Sequence, residues 1–133
     1  MKPLVWVKQL ATHDETVDSQ HRHLFDLYNR VASLDDHSID RDRLFQELFD
    51  YAQLHFHDEE TLMVAIQYPS EELERHRKSH ASFLRTLESL RREPNYAVLD
   101  FIHEWLLRHI FIEDRKIGVF QANLPQQSPS GEQ

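Results

Sequence analysis

Seven residues of this chain stand at spacings suited to metal chemistry. They are His21, His55 with Glu59, His76 with His80, and His109 with Asp114. Residues i and i+4 on an α-helix differ by only about 40° around the axis, so His55 and Glu59 reach one site from one face. His76 and His80 do the same from another segment. Imidazole plus carboxylate without thiolate suits iron, manganese or zinc rather than copper(I). Seven donors exceed one tetrahedral zinc and suit two octahedral ions, which offer about twelve positions between them. Five monodentate histidines fill five of these positions, two bridging carboxylates four, and a bridging oxygen two. One position is then left open, which fits a small diatomic ligand better than in-line hydrolysis.

Four helical segments are needed to carry these donors. Leu24, Leu27, Tyr28 and Val31 repeat at helical spacing in a segment from about Asp18 to Leu34. The joint DDHSID offers Ser38 or Asp40 as a cap for a second helix, Arg41 to about Ile66. Pro69 stops that helix. Ser70 with Glu71 and Glu72 starts a third, which runs to near Arg92, and Asn95 opens a fourth to about Phe120. Short joints between four such helices predict an all-α, antiparallel up-down-up-down four-helix bundle over residues 18–120. An extended N-terminal arm, 1–17, carries Val5, Trp6, Val7 and Leu10, and a polar tail, 121–133, follows the bundle.

One spacing resists the pattern. Five residues on an ideal helix turn through about 500°, so His109 and Asp114 diverge by roughly 140°. A widened, π-like turn near Phe111–Asp114 is the expected remedy, with Asp114 reaching in from the flank as the alternative.

Composition narrows the remaining classes. The chain has 133 residues, only 2 glycines and 40% hydrophobic residues, which favours one helical domain over a turn-rich β fold. With no cysteine, disulfides, thiolate zinc sites and Cys nucleophiles are excluded. The formal charge is −8 and the only basic run is the short Arg85–Arg92 stretch, so nucleic acid and anionic membrane are poor partners. No apolar run approaches the roughly 20 residues of a membrane span, and the first ten residues lack the apolar core of a signal peptide, so a cytoplasmic protein is expected. The chain has 10 histidines. Of the five outside the donor set, His23 and His57 are expected to be exposed, and His13, His37 and His103 structural or superficial. Glu60 turns about 100° away from Glu59 and is expected in solvent, as is Glu104.

The segments DSQHRHLF, HFHDEETLM, HRKSH and HEWLLRHIFIED, in this order, resemble the hemerythrins, in particular the single-domain bacterial ones. The resemblance spans about Trp6 to Lys116 and no ligand position is missing. The family includes myohemerythrin, itself an up-down four-helix bundle. The resemblance implies two iron ions, bridged by an oxo or hydroxo group and two carboxylates, that bind O2 reversibly. His76, His80 and His109 are then expected on the saturated ion, His21 and His55 on the ion with the open position, and Glu59 and Asp114 as bridges. By family position, Leu24, Phe56, Trp105, Leu106 and Ile110 become the apolar walls of the O2 pocket, and no acid stands among them. This favours an oxygen carrier, store or delivery protein over an enzyme, a monomer that supplies an oxygen-using enzyme. The alternatives are an O2 or redox sensing module, and a diiron enzyme handling peroxide or nitric oxide. Ferritin-like diiron enzymes use Glu-x-x-His pairs, a pattern this chain lacks.

Overall fold

The computed structural model describes residues 3–12 and 14–125, so His13 and most of the expected tail lie outside the described residues. Helix α1 is Glu15–Ala32, α2 Arg41–Ala65, α3 Ser70–Ser89 and α4 Asn95–Arg108. A π turn, His109–Asp114, continues α4 directly into α5, Arg115–Ala122. Among the described residues no helix is long and apolar enough to cross a membrane.

Two boundaries differ from expectation. Helix α1 starts at Glu15 instead of Asp18 because Asp14 caps it, accepting a 3.0 Å hydrogen bond from the Val17 amide. Helix α2 does start after Asp40, but that carboxylate pairs with Arg43 at 3.2 Å instead of capping an amide. Helix α3 stops at Ser89 rather than Arg92. There the Leu90 amide is shared between the carbonyls of Thr86 and Leu87, and the carbonyls of Arg91 and Glu93 are taken by Arg41. The α2–α3 joint is a Schellman turn. Tyr68 N donates to Met63 O and Gln67 N to Val64 O, with Gln67 in the left-handed region at φ 58°.

Hydrogen bonds at one end of the bundle set the direction of its helices. Buried Arg41, at the start of α2, donates to Asn95 Oδ1 at 2.5 Å, to Arg91 O at 2.9 Å and to Glu93 O at 2.5 Å. Asn95 in turn donates to Leu34 O at 2.8 Å. The ends of α1 and α3 therefore meet the starts of α2 and α4, which is the up-down-up-down order. At the opposite end Arg75 of α3 pairs with Glu113 at 3.1 Å.

The core has two parts. The larger cluster runs from Leu27, Leu48, Leu87 and Leu99 to Phe56 and Ile110, and a smaller one joins Met63, Tyr68 and Ile117. Along α2 Glu59, and along the α4–α5 helix Asp114, fall between the residues of these two clusters. The N-terminal arm is not extended throughout: a 3-10 turn at Lys8–Leu10 breaks it. Leu4 exchanges two hydrogen bonds with the Asn29 side chain, at 2.9 and 2.8 Å. Thr12 donates from its amide and hydroxyl to buried Asp18, at 2.9 and 2.8 Å. A Cβ at Gly118 would stand 1.9 Å from Thr12 O, so only glycine lets the arm lie this close to α5.

Candidate metal centre

All seven donors are brought together and buried. His21 comes from α1, His55 and Glu59 from α2, His76 and His80 from α3, and His109 and Asp114 from the π turn. The π turn resolves the awkward spacing, because its i→i+5 bonding brings residues five apart onto one face. Asp114 thus enters the site from the helix itself, as His109 does.

The carboxylate oxygens divide between two sets of histidines. Glu59 Oε2 faces His55 Nε2 at 3.7 Å and His21 Nε2 at 3.9 Å. Its other oxygen, Oε1, faces His80 Nε2 at 3.0 Å and His109 Nε2 at 3.8 Å. Asp114 repeats the division: Oδ2 lies 2.9 Å from His21 Nε2, while Oδ1 lies 3.1 Å from His109 Nε2 and 3.6 Å from His76 Nε2. Two four-residue groups, His21–His55–Glu59–Asp114 and Glu59–His76–His109–Asp114, have donor atoms within 4.8 Å of one another and share both carboxylates. His80 stands at the edge of the second group, its Nε2 3.1 Å from His109 Nε2.

These donor atoms are close without being satisfied. Both oxygens of Glu59 and of Asp114, with Nε2 of His21 and His76, are buried and lack a hydrogen bond of proper geometry among the described residues. Among the described residues no lysine or arginine pairs with either carboxylate. Buried carboxylates are normally paired or bound to metal, so this donor set fits a cation. The protonation pattern fits as well. Burial alone would lower His109, but the charges of Asp114 and Glu59 beside it push it up to about 10. Burial also opposes ionisation of the acids, yet the imidazoles of His109 and His80 facing Glu59 hold it down to about 2. The His109 charge, with His21 and His76 also facing it, keeps Asp114 well below the carboxylate range. His55 is lowered to about 4 by burial and by the neighbouring His21. A bound cation would take the place of the proton that His109 otherwise carries.

Behind three of the imidazoles stand acceptors that the sequence did not identify. His55 Nδ1 donates to Gln20 Oε1 at 2.7 Å, and Gln20 Nε2 donates to Asp58 at 2.8 Å. His76 Nδ1 faces the Glu72 carbonyl at 3.2 Å. His80 Nδ1 donates to Glu60 Oε2 at 2.8 Å, and Arg77 stands 3.7 Å from the other Glu60 oxygen. Glu60 is thus not a solvated acid. The same 100° turn that removes it from the centre aims it at α3 and the outer edge of His80. A ligand histidine needs such an acceptor, and that requirement was the available signal.

The residues expected as apolar walls differ in burial and in which histidines they touch. Leu24, Phe56, Leu106 and Ile110 are buried. Phe56 stacks on His80 at 4.0 Å and Trp105 on His109 at 4.2 Å, so both aromatics lie against the three-histidine side. Near His21 the aromatic neighbour is Trp6 of the arm, 6.3 Å away between ring centres. Half-buried Trp105 also borders a cavity of about 150 Å³ where Arg75, Ser79, Arg108 and Glu113 surround His76 and His109. Of the other histidines, His23, His37 and His57 are exposed, and His103 is half-buried against Tyr28. Glu104 is exposed as expected.

A helical bundle whose core is interrupted by five imidazoles and two shared carboxylates is a metal-binding bundle. Residues 12–118 match the profile described as "Hemerythrin HHE cation binding domain". The chain is 30% identical over 126 residues to a bacteriohemerythrin of Clostridium acetobutylicum, covering 84% of this chain and 96% of that one. It is 32% identical over 117 residues to a hemerythrin subunit alpha of Lingula anatina, covering 86% and 92%. Myohemerythrin-1 of Phascolopsis gouldii is 28% identical over 116 residues, with 86% and 92% covered. The chain belongs to the hemerythrin family.

Proposed function

We propose that the protein binds O2 reversibly at two iron ions and serves as an oxygen carrier, store or delivery module rather than an enzyme. The reading rests above all on the division of the carboxylate oxygens. Glu59 and Asp114 each turn one oxygen to His21 or His55 and the other to the remaining histidines, the arrangement of two bridging ligands. His76, His80 and His109 would hold one ion and His21 and His55 the other, with Glu59 and Asp114 shared between them. Reduced ions of this kind supply the two electrons that O2 takes up on binding and returns on release.

The chain's own part is to orient the donors and keep water and protons out. Gln20, Glu60 and the Glu72 carbonyl hold hydrogen on the outer nitrogen of their histidines, leaving the inner Nε2 lone pair free. Leu24, Phe56, Leu106 and Ile110 seal the centre from the bundle interior. The acids nearest the site beyond the two bridges are engaged elsewhere, Glu60 with His80 and Glu113 with Arg75. Neither is placed to protonate a ligand in the centre, which favours release over chemistry.

The test is spectroscopic. Protein loaded with iron, reduced without air and then exposed to air should gain a visible absorption band, lose it on deoxygenation, and repeat this over several cycles. Two irons per chain are expected. Permanent oxidation in the first cycle would overturn reversible binding, and a chain that retains no iron would overturn the centre itself.

A further inference from the structure

Nε2 of each of the five histidines faces the two carboxylates, so apart from the third imidazole on one side the halves differ in what backs their outer nitrogens. Those nitrogens are backed unequally. On the three-histidine side, His80 Nδ1 donates to a full carboxylate, Glu60, at 2.8 Å, and His76 Nδ1 faces a backbone carbonyl at 3.2 Å. On the two-histidine side, His55 Nδ1 meets only the neutral amide oxygen of Gln20, at 2.7 Å. His21 Nδ1 is buried with no hydrogen-bond partner among the described residues. An imidazole whose N–H points at a carboxylate is a stronger and better oriented donor than one pointing at an amide or at nothing.

We infer that the two halves of the centre fill in a fixed order. The first cation binds at His76, His80 and His109 with Glu59 and Asp114, and the second, weaker one binds at His21 and His55. Glu60 is the positioning residue that reinforces the order favoured by the third imidazole, and Gln20, itself held by Asp58, is its weaker counterpart. The inference rests on the metal-centre reading above and adds an inequality to it. A consequence is a protein with one cation at the three-histidine half and an exchangeable position beside it.

The experiment titrates cobalt(II) into metal-free protein and follows visible absorption and heat. In parallel, imidazole nitrogen resonances are recorded after one equivalent of zinc(II). Wild-type protein should bind in two separable steps, the first zinc shifting His76, His80 and His109 and leaving His21 and His55 in place. Glu60→Gln keeps an acceptor but removes the charge, and should weaken the first step by about 10- to 100-fold with little effect on the second. Gln20→Ala should weaken only the second. Glu60 and Gln20 are both partly exposed, and helical content measured by circular dichroism checks that each variant is folded. A single indivisible step, a first zinc on His21 and His55, or loss of the second step alone in Glu60→Gln would each overturn the order. Failure of the wild-type protein to bind either ion would instead overturn the metal centre.

Discussion

Replacing Gly118 with alanine tests how the arm is docked. The added methyl carbon would stand 1.9 Å from Thr12 O, while ordinary contact begins at 3.4 Å, so arm and helix must part by roughly 1.5 Å. Both clashing groups are backbone, and no side chain can swing aside. A shift of that size stretches the two Thr12 bonds to Asp18, now 2.9 and 2.8 Å, past hydrogen-bond length and leaves a buried carboxylate without them. Hydrogen bonds to a charged group contribute about 1.5 to 3 kcal/mol each. Alanine's helix preference over glycine returns about 1 kcal/mol. The net loss is about 2 to 5 kcal/mol, which lowers the melting temperature of a domain this size by about 7 to 18 °C. Thermal and urea unfolding of the metal-free protein, followed by circular dichroism, read both quantities. Equal or greater stability of the alanine variant would show that helix preference alone operates there and that the arm does not lie against α5. The variant should also loosen Trp6, and with it the cover near His21.

Metal-free protein should be most stable near neutral pH. His55, lowered to about 4, makes the unfolded chain the better proton binder below pH 6.5, so stability falls from there toward pH 4. Glu59 and Asp114 add to the loss as pH falls further toward 2. His109, raised to about 10, contributes stability that is complete below pH 6.5 and is lost as pH rises through 10. A flat urea midpoint between pH 4 and 10 would contradict these ionisations. Gln67→Gly should stabilise the protein by about 1 kcal/mol, since it relieves a left-handed residue in the α2–α3 turn; a lower urea midpoint would count against that turn. Leu106→Ala should cost about 2 to 5 kcal/mol and speed irreversible oxidation of the iron-loaded protein in air; an oxidation rate unchanged from wild type would mean that Leu106 does not exclude water.

The helices and the donors were legible in the sequence because each follows from a period along one chain. Leu24, Leu27 and Val31, or His76 and His80, declare a shared face by spacing alone, and even the misfit from His109 to Asp114 pointed to a widened turn. What escaped depends on contacts between elements. Glu60 reads as solvated until α3 is seen beside it, and Gln20 reads as a surface amide until His55 is placed across from it. The end of α3 shifted because Arg41, about 50 residues earlier, takes carbonyls after it. Trp105 stacks on His109, and which histidine it covers is decided by helix rotation, a quantity that spacing within α4 cannot fix.

The π turn also sets the phase of everything that follows it. Its extra residue delays the helix by about 100°, and that offset turns Asp114 inward. The same offset is inherited by α5, where it presents Ile117 to the small apolar cluster and Gly118 to Thr12. Removing one residue between Ile110 and Glu113 would therefore do more than withdraw a carboxylate. It would rotate α5 by nearly a third of a turn, set a side chain against Thr12 where glycine now lies, and undock the arm. Donor geometry and arm docking are tuned by a single setting of the helix, so neither can be changed by insertion or deletion there without the other.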